Sequence, residues 1–338
     1  MAPTTSALNP VLARAFRGGV VESVHRGAVA VVGPGGEPVF SCGDAGAPQC
    51  LRSTAKPFQA LAALEVLLGA AFEVSDAEIA VISSSHGGQP LHVGLVRGLL
   101  ARAGIPESRL ACGSHAPSHG PSADALLRAG EAPSAVHNNC SGKHAAMLIA
   151  ARILGAPLEG YLDPAHPVQA RNLAMLARFA EMRAEDVGLG IDGCSAPTFV
   201  LPLRALARAF ANLVRPPAAT FESAAWRRWM DAIVREPVAY AGDGRTCTRL
   251  IGITQGRVRP KIGAEGVYAL GIPALGLGIA TKLDDGSHRA TEALIATLLL
   301  RFDGDLPATS REELERLRDV ALKNHRGLVV GRLEVSLP

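Results

Sequence analysis

A serine and a lysine spaced three residues apart are the first pair in this chain with the types needed for chemistry. Ser53 and Lys56 stand at the predicted start of a helix, where residues three apart share one face and the amine can reach the hydroxyl. A serine hydroxyl attacks strongly once a base removes its proton, and a lysine is that base only when burial or a neighbouring cation keeps it neutral. Lys261 is a candidate for that cation. The pair indicates nucleophilic catalysis, although Ser53 would serve equally well as the cap of the helix.

A second set of reactive groups combines two thiols with an amine. Cys140 opens an apolar helix and lies one turn before Lys143, and Cys194 follows Asp192 along the chain. A helix N-terminus and a charged lysine both favour a thiolate at Cys140. The spacing leaves three interpretations open: a nucleophilic cysteine, a zinc ligand together with Cys194, or a structural cysteine, because C-x-x-K is not a usual zinc pattern.

Three further polar segments follow or interrupt the predicted strands. Ser85 and His86 belong to a serine-rich turn, and Lys261 stands at the end of a strand beside a glycine. Gly244 and Arg245 lie in a glycine-rich loop, whose guanidinium and backbone N–H groups can hold a carboxylate. Without a lysine at Walker spacing this loop is not a phosphate loop.

The elements that must position these residues follow from hydrophobic period and from glycine and proline punctuation. A hairpin is predicted at the start of the chain, helices dominate the middle, and strands return near the end. The predicted strands cover residues 20–32, 38–40, 79–82, 255–261, 266–272, 275–283 and 328–335. The predicted helices cover residues 54–68, 90–103, 142–154, 167–182, 201–213, 221–234 and 289–302.

Strands near both ends with helices between them predict one α/β unit, residues 19–338, after an N-terminal extension, residues 1–18. Residues 19–50 and 250–338 would contribute the sheet. A helical lobe, roughly residues 88–240, would be inserted between them. We therefore expect a single catalytic unit and not a string of domains.

Composition excludes several classes of protein. The chain has 338 residues, 48% of them hydrophobic, which is enough for a large core. Its net charge of +3 is scattered and gives no footprint for nucleic acid. The sequence lacks a signal-peptide pattern and an apolar run long enough to span a membrane. The six cysteines are too widely spaced for a disulfide framework, so we expect reduced thiols in a cytoplasmic protein.

Six segments of the chain, taken in order, resemble the signature blocks of the rhizobial-type asparaginases, also called asparaginase II or class 3. The order and nearly the spacing match over residue 19 to the C-terminus. The segments are residues 53–57, 84–86, 139–145, 192–194, 244–248 and 261–264.

The resemblance implies a fold similar to serine β-lactamases and glutaminases, with a central, mainly antiparallel sheet flanked by helices, in a homodimer. It implies hydrolysis of L-asparagine to L-aspartate and ammonia, with Ser53 and Lys56 as one dyad and Ser85 and Lys261 as a second. Two close lysines suppress each other's charge, so one can act as base while the other stabilises an oxyanion. We expect Ser53 to be the nucleophile.

The resemblance also implies a zinc ion held by Cys140, Lys143 and Cys194, which would orient or bind substrate. Asp192 would support this site. The substrate, a small amide, would contact residues Arg52, His86, Asp192, Gly244 and Arg245.

Two alternatives to an L-asparaginase stay open. One is hydrolysis of another amide, such as glutamine, a D-amino-acid amide or a β-lactam-like compound, because S-x-x-K sites serve several acyl transfers. The other is a non-catalytic zinc-binding sensor.

Overall fold

A curled antiparallel sheet of eight strands forms the frame of the molecule. The structure is a computed structural model and describes residues 8–217 and 223–338. The strands are β1 (Val11–Arg17), β2 (Val20–Val32), β3 (Pro38–Cys42), β4 (Pro48–Cys50), β5 (Gly188–Ile191), β6 (Pro197–Pro202), β7 (Arg259–Ile262), β8 (Val267–Ile272), β9 (Leu277–Leu283), β10 (Val320–Lys323) and β11 (Val329–Val335). The order of the eight-stranded sheet is β10-β11-β1-β2-β9-β8-β7, and β3 pairs with β2 beside this path. A smaller sheet has the order β4-β6-β5.

Helices cover the sheet and build the layer beside it. In the described residues none of them is long and apolar enough to cross a membrane. The helices are α1 (Lys56–Gly69), α2 (Asp76–Ile82), α3 (Pro90–Arg102), α4 (Gly120–Ala129), α5 (Ser141–Ile153), α6 (Pro167–Ala180), α7 (Leu203–Val214), α8 (Ala224–Arg235), α9 (Pro237–Ala241), α10 (Thr246–Ile253), α11 (Thr291–Phe302) and α12 (Ala308–Arg318).

β2 is the long strand that joins the two halves of the sheet. Residues at the start of β2 are mostly exposed and pair with β1, whereas Gly27 to Val32 are buried and pair with β9. A strand buried on both faces is apolar along its whole length, and the run Ala28 to Val32 meets that requirement. The sheet thus joins an exposed half, which contains β1 and β11, to a buried half that lies under the helices.

One glycine sets how closely α7 lies on the sheet. A Cβ atom on Gly278 of β9 would stand 1.9 Å from the carbonyl oxygen of Ala207 and 2.4 Å from the amide nitrogen of Ala211, both in α7. Glycine permits such close approach of two backbones. α7 also contacts β8 and β2, so Gly278 fixes the helix against the centre of the buried half.

The antiparallel sheet flanked by helices is confirmed, and most predicted elements begin and end within a few residues of the observed ones. The predicted strand at residues 79–82 is wrong: these residues end α2. A short buried apolar run does not distinguish strand from helix. The missed signal is Ser75 with Glu78, which form a capping box at the start of α2.

The boundary of the predicted N-terminal extension is also wrong. Val11–Arg17 form β1, which pairs with β2 on one side and β11 on the other. These residues therefore belong to the sheet. Residues 1–7 of the predicted extension lie outside the described residues. The helix predicted at 221–234 begins with residues 221 and 222, which also lie outside them, and the described part of this helix is α8. The prediction also missed α4, α9, α10, α12, β10 and the smaller sheet.

Replacing Gly278 by alanine tests the contact between α7 and β9. We expect Gly278→Ala to lower the free energy of unfolding by about 3 kcal/mol, because the new methyl group forces two backbones apart. The matched control is Gly94→Ala in α3. A Cβ atom on Gly94 would meet no atom within 4 Å outside its own helical turn. There we expect the free energy of unfolding to rise by about 0.5–1 kcal/mol. Urea unfolding of both variants measures the difference; equal effects would contradict the proposed constraint.

Candidate active site

Lys56 is the first residue of α1, and it is 1% exposed. A short 3₁₀ helix (Arg52–Ala55) leads into it, anchored by a backbone hydrogen bond from Leu51 of 2.9 Å to Phe199 in β6. The Lys56 amine, Nζ, donates to the carbonyl oxygen of Ser84 at 2.6 Å and to that of Asn139 at 3.1 Å. The Ser85 hydroxyl lies 3.0 Å away. This amine therefore ties three separate segments together.

Lys261 reaches the same hydroxyl from the sheet. It lies on β7, is 1% exposed, and places Nζ 2.9 Å from Oγ of Ser85 and 3.1 Å from the carbonyl oxygen of Ile262. Ser85 stands in the turn after α2, where its side chain is buried. The Ser85 hydroxyl thus lies between two lysine amines, which the structure brings together from positions 205 residues apart (261 minus 56).

Burial decides the charge of both amines. The pKa of Lys261 is lowered to about 7, chiefly by desolvation; Cys247 opposes the shift and the charge of Lys56 adds to it. The pKa of Lys56 is also lowered, again chiefly by burial and against the opposing effect of Cys140. Among the described residues neither amine has a carboxylate partner. Near neutral pH Lys261 is therefore able to lose its proton.

The hydrogen bonds are consistent with a neutral Lys261. A neutral amine has two N–H groups and one lone pair; the Ile262 carbonyl takes one N–H, and the lone pair can accept the Ser85 hydroxyl proton. Lys56 gives an N–H to each of two carbonyls in either charge state. Ser85 can consequently pass a proton between the two amines.

Ser53 lies at the edge of this cluster. Its side chain is half-buried, and within the described residues its hydroxyl makes no hydrogen bond. The alternative role as a helix cap is wrong, because neither the 3₁₀ helix nor α1 has a side-chain cap. The Lys56 amine uses its three hydrogen-bonding positions on other groups, so the contact expected between Ser53 and Lys56 is replaced by one between Ser85 and Lys56.

The thiols meet on the other side of Lys56. Cys140 is the residue before α5, Lys143 lies in its first turn, and Cys194 follows β5; the amine of Lys143 is 3.3 Å from the sulfur of Cys194. A hydrogen bond from Cys194, aided by the nearby lysines, holds the pKa of the Cys140 thiol well below its usual value. That same bond and burial raise the pKa of Cys194. Burial opposes the charge of Lys143, but the two sulfurs outweigh it and raise the pKa of Lys143.

Close packing of α5 against α2 positions this group. A Cβ atom on Gly142 would stand 2.2 Å from the carbonyl oxygen of Val81, so only glycine lets the first turn of α5 approach the end of α2. That approach brings Cys140 and Lys143 next to the turn that carries Ser85.

Asp192 links the thiols to the turn that carries Ser53. Its carboxylate accepts from Arg52 Nε at 2.7 Å and from the backbone of Gly193 at 2.9 Å, and it lies 3.8 Å from the Cys194 sulfur. Arg52 has a φ of +49°, a conformation rare for a residue with a side chain. The ion pair helps to hold Arg52 in this conformation.

The thiol cluster fits a zinc ion only if lysine contributes. Among the described residues no three or more histidine, cysteine, aspartate and glutamate side chains are arranged for a metal. Cys140 and Cys194 nevertheless offer two sulfurs, and Lys143 lies at hydrogen-bonding distance from one of them. Thiolate sulfur is a strong zinc ligand, and an amine becomes one after it loses its proton.

Arg245 is a further basic side chain near the two amines that has no acidic partner among the described residues. It precedes α10, and its guanidinium donates to the hydroxyl of Ser118 at 3.2 Å. In the part of the chain that the structure describes, no carboxylate lies within ion-pair distance of it. Its charge contributes to the lowered pKa values of Lys261 and His86. Gly244, exposed and with a φ of +66°, precedes it.

His86, predicted to contact the substrate, has both ring nitrogens engaged within the protein. Its ring is fully buried, Nδ1 accepts from the backbone of Gly88 at 3.1 Å, and Nε2 lies 2.9 Å from the hydroxyl of Ser141. The ring also stacks on His92. Burial keeps the pKa of His86 well below its usual value, so the ring is neutral and forms part of the wall.

Fold and site together define a mixed α/β protein whose antiparallel sheet and covering helices bury serine and lysine side chains at their junction. The sequence model of the family described as L-asparaginase II matches residues 13–335, and the chain belongs to this family. Membership in the family supports an amidohydrolase activity.

Solved structures give more distant similarities. One is a β-lactamase from Mycobacterium bovis, 20% identical over 86% of this chain and 95% of that chain, with a TM-score of 0.42. Another is a protein named Mglu, 14% identical over 89% of this chain and 73% of that chain, with a TM-score of 0.47. No curated protein sequence matches the chain. At these levels the similarities carry no argument about substrate or mechanism.

The charge state of Lys261 can be measured without any substrate. The chain has five lysines, at positions 56, 143, 261, 282 and 323, so NMR of the lysine ε-carbons resolves them individually. We expect the signal of Lys261 to titrate with a midpoint of about 7, because burial disfavours its ammonium form. Lys261→Arg identifies the signal and the exposed Lys323 serves as reference. A midpoint above about 9, near the ordinary lysine value, would contradict the assignment.

Proposed function

We propose that this chain hydrolyses the side-chain amide of L-asparagine to L-aspartate and ammonia. The observation that carries the proposal is the Ser85 hydroxyl between the amines of Lys56 and Lys261, one of which has a pKa of about 7. Amide hydrolysis needs a hydroxyl nucleophile, a base that works at neutral pH and a donor for the developing oxyanion. Two buried amines around a serine can supply the last two.

Ser53 is the proposed nucleophile. Its hydroxyl is half-buried and makes no hydrogen bond within the described residues, so its oxygen is available to a substrate in the cleft. Ser85, by contrast, is buried and engaged by two amines. Catalytic hydrogen bonds are often formed only in the complex, so Lys56 can turn towards Ser53 once substrate is bound. Attack of Ser53 on the amide carbon gives an acyl-enzyme and releases ammonia, and water then cleaves the ester.

Ser85 and Lys261 act as a proton relay in this proposal. Lys56 accepts the proton of Ser53, and a second proton moves from Lys56 through the Ser85 hydroxyl to the neutral Lys261. The ammonia that leaves takes up the proton returned by Lys56. Because Lys261 titrates near neutrality, the relay works in both directions at the pH of the cell.

Arg245 is proposed to bind the α-carboxylate of the substrate. A half-buried guanidinium without an acidic partner gains most from a carboxylate, which it can bind through two parallel hydrogen bonds. Gly244 lets the backbone approach the same group. Arg52 and Asp192, which neutralise each other, would border the substrate on the side of Ser53.

Cys140, Cys194 and Lys143 are proposed to hold a zinc ion. When bound, the ion would act as a Lewis acid or orient the substrate carbonyl. Asp192 would fix the Cys194 side chain, since its carboxylate lies 3.8 Å from that sulfur.

Single serine variants test the assignment of roles. We expect Ser53→Ala to lower kcat for ammonia release from L-asparagine by about a thousandfold or more, because the nucleophile is lost. Ser85→Ala should lower kcat by about a hundredfold or more through loss of proton transfer. An enzyme-coupled ammonia assay, with glutamine as the second substrate, measures both.

The matched control for these variants is Ser83→Ala, whose hydroxyl bonds only the carbonyls of Ile79 and Ala80. It should retain its activity. Full activity in Ser53→Ala together with none in Ser85→Ala would make Ser85 the nucleophile. Faster release from glutamine than from asparagine would refute the proposed substrate.

Metal content tests the thiol site independently of turnover. We expect about one zinc ion per chain by elemental analysis after purification without chelator. Cys140→Ser and Cys194→Ser should lose it, because each removes a sulfur ligand. Cys50→Ser, at an exposed cysteine on β4, is the control that should keep it. Protein that contains no metal when purified in this way would end the zinc proposal.

A further inference from the structure

We propose that residues 113–119, which we call the strap, position the catalytic cleft through two side chains. His115 positions the residue whose carbonyl binds Lys56, and Ser118 positions the guanidinium of Arg245. The inference rests on the proposed function for its kinetic consequences. Neither side chain is assigned to touch the reacting atoms, so both are positioning residues.

The strap is anchored by hydrogen bonds at both of its ends. Asn138 donates through its side chain to the carbonyl oxygens of Cys112 at 2.8 Å and of Gly113 at 3.1 Å. At the other end the backbone of His119 donates to the carbonyl oxygen of Gly87 at 3.0 Å. Pro117, which is buried, packs against Gly88. The strap therefore connects the loop before α5 with the turn that carries Ser85.

His115 has its tautomer fixed by its own backbone neighbour. Its Nδ1 lies 2.7 Å from the carbonyl oxygen of Ala116, which can only accept, so Nδ1 carries the proton. In the neutral ring Nε2 is then an acceptor, and the backbone N–H of Asn139 donates to it at 3.1 Å. The Asn139 carbonyl is the group that accepts from the Lys56 amine. An exposed histidine thus holds a residue that binds a buried catalytic amine.

Ser118 has the corresponding role for the substrate-binding side. Its hydroxyl, 3.2 Å from Arg245, is the one hydrogen-bonding partner of that guanidinium among the described residues. A long side chain with a single fixed contact loses its preferred direction when that contact is removed. Ser118 therefore sets where Arg245 meets a carboxylate.

The two contacts predict different kinetic effects. The lysine amines act in the chemical step, so a misplaced Lys56 should lower kcat and leave KM nearly unchanged. Arg245 binds a carboxylate that does not react, so its contribution is equal in ground and transition states, and its loss should raise KM. A purely structural role for the strap would instead lower kcat and raise KM in both variants, together with a lower free energy of unfolding.

The experiment measures kcat and KM for ammonia release from L-asparagine in strap variants. We expect His115→Ala to lower kcat about tenfold, and His115→Gln, which keeps an acceptor, to recover part of the loss. We expect Ser118→Ala to raise KM about tenfold and Ser118→Thr, which keeps the hydroxyl, to restore it. Ser114→Ala is the control, since Ser114 is exposed and its hydroxyl has no hydrogen bond in the described residues. Unchanged kcat in His115→Ala or unchanged KM in Ser118→Ala overturns the corresponding assignment.

A second measurement separates this proposal from the proposed function. If the unmutated protein releases no ammonia from L-asparagine, the proposed substrate is wrong, and hydrogen exchange of the Asn139 backbone N–H, followed by NMR, then decides about the strap. His115→Ala should speed this exchange about tenfold or more, because the N–H loses the ring nitrogen to which it donates. Ser118→Ala should leave the exchange of Asn139 unchanged. Unchanged exchange in His115→Ala overturns the role of His115.

Discussion

The whole site depends on two amines that are buried without an acid to pair with. Moving a lysine ammonium out of water is costly, and the usual remedy is a carboxylate at hydrogen-bonding distance. Here, within the described residues, Lys56 and Lys261 meet carbonyl oxygens and one shared hydroxyl instead. Carbonyls satisfy N–H groups without stabilising the charge as strongly as a carboxylate does, so burial lowers the pKa of both amines, that of Lys261 to about 7. The fold supplies this environment by joining the first residue of α1 to β7.

Rigid surroundings are needed to keep the amines there. α1 is apolar behind Lys56 and packs against α5, α6 and α8, while β7 lies next to β8 in the buried half of the sheet. Three of the six residues other than glycine that have positive φ in the described part of the chain lie in the segments around Ser53, Cys194 and Lys261; they are Arg52, Ser195 and Glu265. Each such residue costs about 1–3 kcal/mol and persists only where its neighbours fix it, as the ion pair with Asp192 does for Arg52. The other three, Ala71, Glu181 and Gln255, lie at helix ends, so strain of this kind is not confined to the site.

Much of this arrangement follows from sequence, and the remainder has a definite physical reason. The resemblance to the asparaginases implied two neighbouring dyads, Ser53 with Lys56 and Ser85 with Lys261, and the hydrophobic pattern predicted that both ends of the chain contribute to the sheet. Spacing could not indicate which hydroxyl Lys56 contacts, because its acceptors come from Ser84, Ser85 and Asn139, which are 28 to 83 residues away. Spacing also could not indicate that Nε2 of His86 contacts the hydroxyl of Ser141, which lies 55 residues away in the sequence. The strand predicted at residues 79–82 failed for a local reason, since a buried run of four residues fits either element.

The thiols and the amines form one electrostatic system. Cys140, through a hydrogen bond and its charge, raises the pKa of Lys56, whereas Lys143 lowers it, and burial exceeds both. The charge on Cys140 in turn depends on Cys194, which donates to it, and on the two lysines. It follows that any change in charge at the sulfurs alters the charge balance of the buried amine of Lys56. Neutralising the sulfur charge would remove an interaction that favours the ammonium form of Lys56. In the proposed mechanism this would make Lys56 a better acceptor for a serine proton, so the thiols would influence the reaction without contacting the substrate.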